Sequence, residues 1–139
     1  MTTIVTYDAD GKITGRIKLS SREDLALYSN YVEISEDDFS KPVDMTHRVN
    51  TGTLQLEPKQ VVTVAINKGS IDADGADEAI VTFLGLVGDA VALVNGKRVP
   101  ISPADNTIAI TSNAATSFAI SLMPDNEHIL SGAVALKAQ

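Results

Sequence analysis

The chain has no cysteine and no tryptophan among its 139 residues, only two histidines, and an aromatic share of 4%. Without cysteine there are no disulfides, thiolate metal ligands or thiol nucleophiles, and the composition fits assembly in a reducing compartment. Without many aromatics, a core has to be built from Val, Ile, Leu and Ala, which an apolar content of 44% can supply. Positive charge is also short: 11 Lys and Arg stand against 18 Asp and Glu, a net charge of −7. Such a surface repels phosphate backbones and anionic lipid, so neither nucleic acid nor a membrane is an expected partner. No apolar run approaches the roughly 20 residues of a spanning helix. The opening MTTIVTYDADG has neither the basic nor the apolar region of a signal peptide.

Catalytic patterns are missing as well. There is no G-x-S-x-G elbow, P-loop, G-x-G-x-x-G or H-E-x-x-H. His47, three residues from Asp44, reads as a surface or locally bonded histidine. Glu36, Asp37 and Asp38 read as a solvated charge run in a loop. Neither an enzymatic activity nor a cofactor is expected.

What the chain does have is Asp-Ala-Asp-Gly twice, at Asp8–Gly11 and at Asp72–Gly75. Calcium loops of the EF-hand type need oxygens at positions 1, 3 and 5, Gly at 6 and a bidentate Glu at 12. With Gly11 at position 6, Ile17 falls at 12; with Gly75 there, Val81 does. The closing carboxylate is absent from both, so both are expected to be turns, in which Asp bonds its own backbone and Gly accepts positive φ. No metal site is expected; Asp72, Asp74, Asp77 and Glu78 are the only carboxylates with a residual claim on a cation.

Around the first copy, TIVTY and KITGRIKL predict a hairpin. Ile13, Ile17 and Leu19 alternate with Lys12, Thr14, Arg16 and Lys18, and Gly15 marks a bulge or a close backbone approach. Ser21 with Asp24 predicts one short helix, and YVEIS a strand. The segment EDDFSKP reads as loop, and VDMTHRVNTGTLQLEPKQ as an arm ordered by other subunits. From Gln60 the texture becomes seven short β-rich runs separated by turn residues, with Asn95-Gly96 as a type I′ hairpin signal. The expected fold is therefore all-β: an N-terminal hairpin and arm with one short helix over 1–58, then a seven-stranded Ig-like β-sandwich over 59–139. Tyr7, Tyr28, Tyr31, Phe39 and His47, all in the first part, are the candidate partner contacts.

In YDADGKITG a Tyr-Asp turn is followed by Gly, Ile and Gly. In VDMTHRVNTGTL, Val43, Asp44, Thr46, His47, Val49, Gly52 and Leu54 follow a Val-Asp, Thr-His, Val, Gly-x-Leu pattern. Over residues 3–58 this resembles a short module that opens virion structural proteins of tailed bacteriophages; Arg48 stands where an aromatic is usual, and the segment is about one residue short. SIDADGADEAIVTF is similar to the turn and strand of bacterial Ig-like domains that phages append to capsid and tail proteins. The resemblance implies a non-enzymatic virion component, a capsid decoration protein or a tail or fibre adaptor. Its partners would be other virion proteins and its own copies, a trimer by preference. A receptor- or glycan-binding Ig-like module is the alternative, with the loops 85–89 and 113–117 as its polar surface.

Overall fold

The computed structural model describes all 139 residues, and the chain divides into two compact units, Met1–Lys59 and Gln60–Gln139. Both are built of β-strands. The three helical segments are short: a 3-10 turn Arg22–Leu27 and two single α-turns, α1 (Glu36–Phe39) and α2 (Val43–Thr46).

In the first unit β1 (Thr2–Tyr7) pairs with β2 (Ile13–Leu19) and with β3 (Tyr31–Ile34), both antiparallel, in the order β2-β1-β3. The expected bulge is present. Thr6 stands opposite Gly15 but Tyr7 opposite Ile13, so Thr14 is an extra residue. Its hydroxyl lies 2.9 Å from that of Thr6. One extra residue reverses which face a side chain occupies. Ile13 therefore does not share a face with Ile17 and Leu19, as strict alternation predicts. It joins Val5, Val43 and Val49 in a buried cluster, while Ile17 and Leu19 stand opposite Ile4 and Thr2.

The segment expected to be an arm without its own core differs most from expectation. Ser35 Oγ accepts the Asp38 N–H (3.0 Å), which caps α1 in what reads as loop by composition. After α2, β4 (His47–Asn50) and β5 (Gln55–Pro58) form a hairpin, with Arg48 Nε 2.9 Å from Glu57 Oε1 on the paired position. Val43 and Val49 are completely buried against Val5 and Ile13, and half-buried Tyr7, Val32, Ile34 and Leu56 surround them. The unit thus has a small core of its own, at a size where stability is marginal.

The second unit is a β-sandwich. All seven β-rich runs are strands: β6 (Gln60–Ile66), β8 (Ala79–Leu84), β9 (Ala90–Val94), β10 (Lys97–Ile101), β11 (Thr107–Ile110), β12 (Thr116–Leu122) and β14 (Val134–Ala138). Two more, β7 (Ser70–Ile71) and β13 (His128–Leu130), lie in stretches that read as turns. They are too short for a periodicity to register, and each adds in parallel to a longer strand, β7 to β14 and β13 to β6. One sheet has the order β10-β9-β12-β14-β7 and the other β11-β8-β6-β13. Phe83, Ile120, Val81, Val62 and Leu136 fill the space between them, nearly or wholly shielded from solvent. Asn95 and Gly96 both have positive φ (50° and 79°), as a type I′ turn requires. Asn95 also does more than turn: its Oδ1 accepts the Ala119 N–H (2.7 Å) and its Nδ2 donates to Ser117 O (3.1 Å), tying the hairpin to β12.

Candidate functional site

The two Asp-Ala-Asp-Gly copies are both turns, built differently. In the first, Asp8 Oδ1 accepts from the backbone of Asp10 (3.0 Å) and Lys12 (2.9 Å). Gly11 has φ +80°, and its carbonyl accepts the Val49 N–H (2.8 Å) so closely that a Cβ would collide with the Val49 carbonyl oxygen. In the second, the acceptor is the other aspartate. Asp74 Oδ1 takes the N–H groups of Ala76 and Asp77, both at 2.8 Å. These bonds, Asp77's first, hold the Asp74 carboxyl below its ordinary pKa. Asp77 is lowered by Lys68, whose Nζ is 2.6 Å from Oδ1, and by the Asp72 N–H, 2.8 Å from Oδ2. The carboxylates of Asp74 and Asp77 are thus engaged with backbone N–H groups and a lysine. Asp72, Asp74, Asp77 and Glu78 do not form a cluster arranged to hold a metal ion.

Tyr7, Tyr28, Tyr31, Phe39 and His47 are all half-buried and are not brought into one patch. Tyr7 packs on the Val5 cluster. Tyr31 is paired with Thr6 and so points to the other face of the sheet. Tyr28 ends the 3-10 turn, donating its N–H to Leu25 O (3.1 Å). His47 Nδ1 lies 2.7 Å from Thr46 Oγ1. Phe39 lies beneath Arg16, whose guanidinium carbon is 5.9 Å from the ring centroid, about the outer limit of a cation–π contact. Arg16 also donates to the carbonyl oxygens of Phe39 (2.8 Å) and Lys41, and its Nε is 3.4 Å from Asp44 Oδ1. One β2 side chain thereby fastens the α1–α2 segment to the sheet. Alternation puts Arg16 on the face opposite Ile13; Arg16 is paired with Val5, and the bulge brings Ile13 onto that same face.

His128 was not singled out from the sequence, and it is nearly inaccessible in the second unit. Its Nε2 accepts the Val87 N–H (3.1 Å), so the ring proton is on Nδ1, 2.9 Å from Asp125 Oδ2. Burial opposes ionisation of Asp125, but hydrogen bonds from the side chain and backbone of His128 outweigh it and leave this carboxyl below its ordinary pKa. Both ring nitrogens are thus engaged, and the arrangement binds the loop after β8 to β13. A shallow depression of about 450 Å³ lies beside β9 and β10, lined by Asp89, Val91, Pro100, Ile101, Ser102 and Asp105 among others, with no aromatic platform. Ser102 Oγ there accepts the Asp105 N–H (3.1 Å).

A broader surface is the outward face of the sheet β11-β8-β6-β13. Directly paired residues share a face, so the register places Thr63 beside Leu84, Thr82 between Ala65 and Thr107, and Val61 beside Ile129. Val61 and Leu84 are about half exposed, at 52% and 49%. No outward position on these strands carries a charge. The signal was present in the sequence: Val61, Thr63 and Ala65 alternate with the buried side of β6 without one Lys or Glu between them. No known protein family, characterised protein or solved structure matches the chain.

Proposed function

We propose that the chain is a non-enzymatic structural protein of a tailed-phage virion, a capsid decoration protein or a tail or fibre adaptor that acts through protein–protein contacts. The observation that carries this reading is the build of the chain. A small β unit with its own core, bearing the Val-Asp, Thr-His and Gly-x-Leu pattern, precedes a cysteine-free β-sandwich. The strand order of the sandwich supports it further. Without the edge strand β13, which adds to β6, strands β11-β8-β6 against β10-β9-β12-β14 follow the order expected of E-B-A over C′-C-F-G in an Ig-like domain, with β7 as the segment that crosses to the second sheet. In this reading the first unit anchors to the particle and the sandwich projects from it. Mass spectrometry of gradient-purified particles of the phage that encodes the chain is the test. Its peptides are expected in the particles at many copies each. Peptides present in the infected lysate but absent from the particles would overturn the reading.

A further inference from the structure

His128 is the one ionisable residue of the chain that is almost wholly removed from solvent. Its two ring nitrogens have opposite tasks. Nδ1–H donates to Asp125 Oδ2 (2.9 Å) in the stretch before β13, while Nε2 accepts the N–H of Val87 (3.1 Å), 41 residues earlier. The second bond is the one hydrogen bond that ties residues 85–89 to the rest of the chain. Glycines flank the point it holds. Gly85 takes φ +96° against the Val61 carbonyl, and Gly88 lies so close to Glu127 that a Cβ would stand 2.7 Å from Oε2. Between them Leu86 packs on the sandwich core, whereas the Val87 side chain is 62% exposed. The Val87 end of the loop is therefore held by His128 and not by burial.

We infer that His128 is a pH-sensitive latch on this loop, closed while the imidazole is neutral and released when Nε2 takes up a proton. A neutral imidazole has a single acceptor nitrogen, and here the Val87 N–H already uses it. A proton competes for the same lone pair, and once bound it leaves two N–H groups pointed at each other. The other side of the ring responds in the opposite sense. Burial opposes ionisation of Asp125, yet hydrogen bonds from His128 and Glu127 keep its carboxyl below the ordinary value. It therefore stays an anion through the histidine range and holds an imidazolium by a charge-assisted bond. The other charges on the elements around the ring are Glu127 in the same stretch and Asp89 at the end of the loop; β6 and β12 contribute none. All three carboxylates favour the imidazolium, and these elements carry no lysine or arginine to oppose it. One proton thus tightens the ring on β13 and frees the loop from it. Closure expels that proton, so it is favoured at high pH and is lost as pH falls through the ordinary imidazole range, about 6.5. His47, the only other histidine, belongs to the first unit.

Amide hydrogen exchange of the full chain, read by NMR across pH and corrected for the intrinsic rate, tests the latch. Protection of the Val87 amide should fall about tenfold between about pH 7.5 and about pH 5, because opening is linked to one proton. Protection of Phe83, whose N–H donates to Asn106 O (2.9 Å) in the same unit, should hold over that range. His128→Gln replaces the ring with an amide whose oxygen accepts the Val87 N–H without titrating, so its Val87 protection should stay level. Imidazole nitrogen chemical shifts give a second readout on the unmutated chain, which stands even where the glutamine variant fails to fold. His128 should be the Nδ1–H tautomer at high pH and should gain its second proton in step with the loss of Val87 protection. An Nε2–H tautomer at high pH, Val87 protection that stays level while the ring takes up its proton, or a fall in folded His128→Gln as steep as in the wild type would overturn the inference.

Discussion

The same four residues, Asp-Ala-Asp-Gly, close a turn in each unit, and they do so with different aspartates. At Asp8–Gly11 the first aspartate gathers the backbone and the glycine is pressed against the main chain of β4. At Asp72–Gly75 the second aspartate gathers it, and the glycine faces the side chain of Asn113 and donates its N–H to Ser112 O (2.8 Å). The first turn is a packing element, wedged under the small core of its unit. The second is a loop organised by its own carboxylates and Lys68. A tetrapeptide therefore specifies that the chain turns; its surroundings decide which residue holds the turn together.

Glycine substitutions should separate the two turns most. Gly11→Ala combines a left-handed φ with a collision against an immobile carbonyl and should cost the first unit about 3 kcal/mol. Gly75→Ala meets only the movable Asn113 amide, so the strain of its φ dominates, about 1–2 kcal/mol. Amide hydrogen exchange on the intact chain, read separately for β1–β4 and for β8, measures both. Equal losses would mean that Gly11 is not pinned by Val49.

Removing the capping carboxylates comes next. Asp8→Ala and Asp74→Ala each strip two N–H groups of an acceptor and should cost about 1 kcal/mol, whereas Asp72→Ala should stay within about 0.5 kcal/mol. Urea unfolding of the three variants decides it, and a loss at Asp72 equal to that at Asp74 would erase the contrast.

Acid gives a smaller, directional effect. The Asp74 and Asp77 carboxyls lie below their ordinary 3.8 in the folded chain. Their stabilisation is complete above that unfolded value and disappears as pH falls through the lower folded ones. The sandwich should lose thermal stability on acidification below about pH 4, and Asp74→Asn with Asp77→Asn should flatten that part of the loss. Calcium should do least: millimolar additions are expected to leave both thermal transitions in place, within about half a degree. A rise reversed by chelator would show that a cation can replace the backbone donors of these loops.

Much of the architecture was legible because it repeats on the scale of a strand. Alternation identified β6, β11 and β12, and Asn95-Gly96 identified its hairpin. What escaped depends on single residues or distant partners. Thr14, one residue too many, moved Ile13 to the Val5 face, where Arg16 already stands. Ser35 capped a helical turn in an acidic run. Val43 and Val49 looked like parts of an arm because the residues that bury them, Val5 and Ile13, lie thirty or more positions earlier. The same holds for the candidate surface. The half-buried aromatic and histidine side chains drew attention one by one, whereas the uncharged sheet face exists only once β6, β8, β11 and β13 are placed side by side.

The crossing of the chain from β6 to β7 also has a mechanical meaning. β7 and β14 are parallel neighbours, joined through Gln139 N–H to Ile71 O (3.0 Å), Ala73 N–H to Gln139 O (3.0 Å) and Lys137 N–H to Gly69 O (3.2 Å). Tension applied between Gln60 and Gln139 pulls these two strands in opposite directions along their length. The bonds lie across the pull and bear it together in shear, where a hairpin loaded at its open end would give way one bond at a time. Two residues of strand thus act as a clasp on the whole sandwich.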